Sequence, residues 1–138
     1  MPQDPPPPFP SQYLEGLELF NEQQFFECHD VLEELWSDVI GDERRFYQGL
    51  IQVAVCLHHF GNGNIHGARK LYHSSTAYLQ PYRPYQDGVD LDQLVDELTV
   101  CCQAILDPEI ESPELKIEPG SLPKIDLDPA PTDPPARP

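Results

Sequence analysis

Residues 43–60 read ERRFYQGLIQVAVCLHHF, and this stretch decides the fold. On a helical wheel of about 100° per residue, Phe46, Leu50, Val53, Leu57 and Phe60 share one side, and Ile51 and Val55 another. A helix that is apolar nearly all round is one that its neighbours bury. It is the expected centre of an all-α bundle. Gly49 lowers its helix propensity by about 1 kcal/mol relative to Ala, which predicts that another helix approaches closely there. One narrow polar stripe remains: Arg45, Gln48, Gln52 and His59.

The preceding stretch, FFECHDVLEELW at 25–36, is amphipathic. Phe25, Cys28, Leu32, Leu35, Trp36 and Val39 form its core face, while Glu27, Asp30, Glu34 and Asp38 lie opposite. His29 falls within about 40° of Phe25, and Glu33 within about 80°. A buried polar group without a partner costs about 1–3 kcal/mol. The economical expectation sets His29 and Glu33 against the polar stripe of the next helix, as a polar seam between helices two and three.

Punctuation marks out five helices. The first covers about 11–21, with Ser11 as N-cap. The second covers 24–40 and ends at Gly41. The third covers 43–60, with Asp42 as N-cap and Gly61 and Gly63 as stops. The fourth covers 65–79, capped by Asn64 and ended before Pro81. The fifth covers 91–106, where Asp90 and Gln93 resemble a capping box. PYRPYQDG, residues 81–88, reads as a loop, and no convincing strand is expected. A shift of 39 residues sets Phe26, His29 and Leu32 against Ile65, Ala68 and Leu71. Both halves read as helix, short turn, helix, so the fold expected is a compact bundle of two tetratricopeptide-like hairpins plus a closing helix.

Outside the helices lie a proline-rich arm, residues 1–10, and an acidic proline-rich tail, residues 108–138, flanking a helical domain at 11–107. The tail composition suits a disordered linker. Yet Leu115 and Ile117, like Ile125 and Leu127, are spaced by two, the period of one face of an extended strand. Docking of this segment on a groove of the bundle is the competing expectation.

The formal net charge of −16 argues against binding phosphate backbones or anionic lipid surfaces. No signal-peptide pattern and no bilayer-length apolar run is present. The chain reads as soluble and cytoplasmic, or stromal in an organism with plastids. Cys28, Cys56, Cys101 and Cys102 each sit in a helical pattern without a C-x-x-C pair, as small buried thiols do. GNGNIHG at 61–67 has neither a preceding strand nor GK[ST], so it is a helix–helix turn and not a phosphate loop. His58, His66 and His73 look peripheral and solvated. No nucleophile elbow or Ser–His–Asp spacing occurs.

The seam admits three roles: a hydrogen-bond network that fixes helix register, the floor of a ligand or partner pocket, or a divalent transition-metal site on His29, Glu33 and His59. No paired Glu-x-x-His motifs point to a di-iron centre.

ECHDVLEELW, followed by RRFYQGLIQVAVCLHHFGNGNIHGARKLY, resembles the bacterial family known as domain of unknown function 309, over about residues 14–80. The matching pattern is E-x-H-[ED]-x-L-E-x-x-W, then Q-G-L-I-Q, then H-x-x-x-G-N-x-x-G-A. It marks Glu27, His29, Asp30, Glu33, Trp36, Gln48, Gly49, Gln52, His59, Asn64, Gly67 and Ala68. Asp30 stands where the family more often has Glu. The resemblance implies a compact all-helical domain without an agreed activity, and it adds Glu27 to the seam. The leading expectation is a non-catalytic interaction module with a protein partner or a second copy, and without cofactor, nucleic acid or membrane. The alternative is a metal-dependent or acid–base enzyme using His29, Glu33 and His59.

Overall fold

A computed structural model of the chain describes residues 9–109, 116, 117 and 119–127. Five α-helices make the bundle: α1 Ser11–Asn21, α2 Phe25–Asp38, α3 Glu43–Gly61, α4 Ile65–Leu79 and α5 Leu91–Cys102. Successive helices pack on one another, most extensively α3 on α4. α3 is the central element, as its composition demands. Phe46, Leu50, Val53, Leu57 and Phe60 are all buried, with Ile51 beside them. Val55 is only half-buried, so one edge of α3 remains near the surface.

Gly49 explains how α3 and α4 come so close. A Cβ there would stand 2.7 Å from Leu79 Cδ2 and 3.3 Å from Tyr78 Cβ. Only hydrogen fits in that gap, and the contact outweighs the propensity that glycine forfeits.

The hairpins α1–α2 and α3–α4 repeat one another in backbone detail. The N–H groups of Glu22, Gln23 and Gln24 donate to the carbonyls of Glu18, Phe20 and Leu19. Those of Asn62, Gly63 and Asn64 donate to His58, Phe60 and His59, each 40 residues on. The true offset is therefore 40 and not 39. At 40, Leu17 matches Leu57, Phe20 matches Phe60, Phe25 matches Ile65 and Cys28 matches Ala68, and all eight are buried. A one-residue slip rotates a helical comparison by about 100°, which is why the 39-residue register set His29 against the buried Ala68.

Helix starts depart from expectation at two places. Pro10, not Ser11, occupies the cap of α1, and its carbonyl accepts from Tyr13 and Leu14. Asp42 makes no side-chain cap; its carbonyl accepts from the Tyr82 hydroxyl. The other two caps form as read. Asn64 Oδ1 accepts from Gly67 N–H at 3.0 Å, and Asp90 Oδ1 from Gln93 N–H at 3.0 Å. α2 stops at Asp38, ahead of Gly41 at φ 99°.

The loop at 81–88 holds a small hairpin that the periodicity did not predict: β1 Tyr85–Gln86 and β2 Val89–Asp90, antiparallel, with Gln86 opposite Val89. Asp87 and Gly88 turn it at φ 48° and 81°, the positive angles that a two-residue hairpin turn needs. Two-residue strands are too short for alternation to show. Tyr13 anchors the turn to α1, its hydroxyl donating to Asp87 O at 2.8 Å.

α5 closes the bundle. Tyr72 and Thr99 share a hydrogen bond of 2.7 Å between α4 and α5. Arg69 Nε reaches Ile105 O at 2.6 Å. All four cysteines are free and buried, as expected, and burial pushes the Cys28 thiol up to about 12. No helix among the described residues is long and apolar enough to cross a membrane.

Candidate functional site

Among the described residues no hydrogen bond joins His29 or Glu33 to Arg45, Gln48, Gln52 or His59. His29 leans back over its own helix, Nδ1 lying 2.7 Å from Phe26 O. A carbonyl only accepts, so Nδ1 carries the proton and Nε2 faces outward. Nε2 lies 3.8 Å from Glu33 Oε2, one turn on, at a surface where the Glu33 side chain is 58% exposed. Phe26, itself exposed, bridges the two histidines at the surface: its ring centroid is 5.1 Å from that of His29 and 5.5 Å from that of His58. His29 is thus half-buried and satisfied within α2.

The remaining members scatter. Glu27 is exposed in the first turn of α2, where a carboxylate suits the positive end of the helix dipole. Arg45 is exposed and lies beside Ser74, Ala77, Tyr78 and Pro81, on the α4 side of α3. Gln48 and Gln52 are half-buried, and Gln52 Oε1 is buried without a hydrogen-bond partner.

His59 turns toward the α3–α4 turn. Asn64 Oδ1 is engaged by Gly67, so its amide NH₂ meets His59 Nδ1 at 3.3 Å. That nitrogen therefore acts as an acceptor. Burial, then the neighbouring His58, hold the His59 imidazole below its ordinary pKa. His29, Glu33 and His59 do not form the metal centre weighed from sequence. Among the described residues, no three His, Cys, Asp or Glu side chains come together to hold an ion. His66 and His73 are exposed, as read, whereas His58 is half-buried.

The built site lies elsewhere, where the tail meets α1 and α5. Asn21, the last residue of α1, grips one residue of the tail with both ends of its amide. Nδ2 donates to Ile125 O at 2.7 Å, and Oδ1 accepts from Ile125 N–H at 2.8 Å. One residue along, Lys124 N–H donates to Glu97 Oε1 of α5 at 3.1 Å. Glu97 is held in turn by Gln93 Nε2 at 3.0 Å. Backbone donors and acceptors of an extended segment are thus met by side chains of two helices, as burial of such a segment requires.

Apolar contacts complete the grip. Ile125 is only 5% exposed, and Pro123 is buried. Ile117, Leu122 and Leu127 pack against the same core. Leu14, Leu17, Glu18, Asn21 and Glu22 of the α1 end form, with Ile125, Asp126 and Leu127, an open cleft of about 470 Å³. Of the two aliphatic clips expected in the tail, Ile117, Ile125 and Leu127 dock; Leu115 lies outside the described residues, as does the stretch from 128 onward. The spacing of the aliphatics was the signal for docking. Nothing in the sequence singled out Asn21, which looked like an ordinary helix end. Only the repeat comparison sets it apart: its counterpart at the end of α3 is Gly61, which has no side chain to offer.

Stacked antiparallel hairpins closed by a fifth helix, with an extended segment clasped along α1 and α5, define a helical-repeat scaffold. Residues 13–71 of the chain match the family described as Domain of unknown function (DUF309), so the resemblance read from the residues is shown over that stretch. The chain is similar to the uncharacterized protein YpuF of Bacillus subtilis (strain 168), 36% identical over 92 residues, which cover 64% of this chain and 53% of that protein. It is also similar to an uncharacterized protein of Aquifex aeolicus (strain VF5), 39% identical over 46 residues, 33% of this chain and 14% of that one. The chain thus spans about half the length of the first relative and far less of the second.

Proposed function

We propose that the protein is a non-catalytic interaction module of the cytoplasm whose furrow between α1 and α5 holds an extended protein segment. The observation that carries this reading is the paired hydrogen bond of Asn21 to Ile125. A side-chain amide that bonds both N–H and C=O of one residue recognises backbone irrespective of sequence, while flanking apolar contacts select side chains. The acidity of the chain supports a protein partner over nucleic acid or an anionic membrane. His29, Glu33, Gln48, Gln52 and His59 serve packing, capping and helix register in this reading.

The test places a photo-crosslinking side chain at Leu14, on the wall of the furrow, in the native host. The expected adduct joins the chain to another protein and disappears with Asn21→Leu. Adducts confined to the chain's own tail would contradict a partner reading. A stoichiometric transition metal in the dialysed protein, lost with His29→Ala, would return the account to an enzyme.

A further inference from the structure

The tail shows what the furrow selects. At its centre is Lys124, between the buried Pro123 and Ile125. Its Nζ lies 3.4 Å from the Asn21 carbonyl, at the C-terminal end of α1. α1 has no basic residue in its last turn, so the negative end of its dipole is met by a cation from another segment. Glu18 and Glu22 line the adjoining cleft, and Asp96 and Glu97 stand on the α5 side. A helix C-terminus that meets the cation, a backbone clasp and apolar seats on either side of it are the parts of a recognition site for a short peptide.

We infer that this furrow is an exchangeable peptide site. Its ligand is an extended partner segment reading aliphatic, proline, lysine, aliphatic, any residue, large apolar, and residues 122–127 of the chain are its internal competitor. The inference rests on the interaction-module reading and names the partner's chemistry. The last position separates a foreign partner from a second copy. Leu127 is only half-buried, beside the open cleft of about 470 Å³, so the chain's own segment underfills the site. A tethered tail acts at an effective concentration of roughly millimolar. An identical tail from a second copy gains no contact that would displace it. A segment with an aromatic side chain at the Leu127 position does.

The test uses the full chain and a fluorescent synthetic peptide copying residues 116–127, followed by anisotropy. Wild-type protein should bind this probe weakly. Lys124→Glu in the protein sets an acid against the Asn21 carbonyl at the negative end of α1 and loosens the internal tail, so probe affinity should rise at least tenfold. Leu127→Asp in the protein, which loosens the tail without touching the Glu97 contact, should act in the same direction. A probe carrying Leu127→Phe should bind more tightly than the parent, and one carrying Lys124→Glu more weakly. Asn21→Ala in the protein should abolish binding in every background. Added salt should weaken it, because the exposed lysine sits at the negative end of the α1 dipole in an acidic chain.

Equal probe affinity for wild type, Lys124→Glu and Leu127→Asp would overturn exchange. So would a wild-type dimer that grows with concentration, since that outcome assigns the furrow to a second copy. Hydrogen exchange separates exchange of the tail from the existence of the furrow. Tail amides that stay protected under saturating probe sink exchange but leave the furrow standing, whereas tail amides unprotected in the free protein sink both.

Discussion

Gln23 adopts the left-handed backbone conformation, φ 65°, that Gly63 adopts at φ 79° in the corresponding turn of the second hairpin. The turns share their hydrogen bonds, so the geometry is imposed by the hairpin and not by the residue. A side chain in that region pays about 1–2 kcal/mol that glycine avoids, less the extra chain entropy that glycine loses on folding. Gln23→Gly should therefore stabilise the protein by about 0.5–1 kcal/mol, and Gly63→Gln should destabilise it by a similar amount. Urea denaturation midpoints moving in the same direction for both variants would show that the turns are not equivalent.

Gly49 faces Leu79 where α3 packs on α4. Gly49→Leu should lose about 3 kcal/mol or more through overpacking, and Gly49→Ala less, since the first atoms met belong to the Leu79 side chain. The check is calorimetric: a melting temperature unchanged in Gly49→Leu would mean that the helices can separate freely.

His29→Ala should cost less than about 1 kcal/mol. Its Nδ1 partner, Phe26 O, is a backbone carbonyl with a second lone pair, so no polar group is left without a partner. The pairing with Glu33 is exposed and long, a kind worth little. A loss of several kcal/mol in chemical denaturation would show that the histidine holds α2 to α3 after all.

Mild acid should weaken the fold through His59. Its folded pKa is lowered, by burial and then by His58. Below the unfolded value of about 6.5 the unfolded chain takes up a proton that the folded chain refuses. Stability is thus full above that pH and declines as pH falls toward the folded pKa. Asp87 has the opposite sign: burial raises its pKa, so its contribution grows as pH falls from the folded value toward the ordinary carboxylate range. Stability profiles of wild type and His59→Gln should differ in slope as pH falls below about 6.5. Parallel profiles there would remove His59 as the cause.

The helices were legible because α3 and its neighbours carry strong apolar periodicity and their turns carry glycine or asparagine. The polar residues were not. A wheel places His29 near Phe25, but it does not show that Nδ1 can fold back onto Phe26 O or that the exposed Phe26 ring lies beside both His29 and His58. Burial by angle and burial by contact differ most for side chains at a helix margin. The hairpin at Tyr85–Asp90 escaped because each strand has two residues; the Asp87–Gly88 pair was its one local sign. The tail was half legible. Alternating aliphatics marked Ile125 and Leu127, while Asn21 became visible only when α1 and the tail were seen together, 104 residues apart in sequence.

Asn21 clasps an extended segment in the furrow, and amide hydrogen exchange of the full chain reads this directly. The N–H groups of Lys124 and Ile125 should exchange well below random-coil rates. In Asn21→Ala the protection at Ile125 is lost, while amides in the middle of α3 stay as slow as in wild type. Random-coil exchange at Lys124 and Ile125 in the wild-type protein would contradict the clasp.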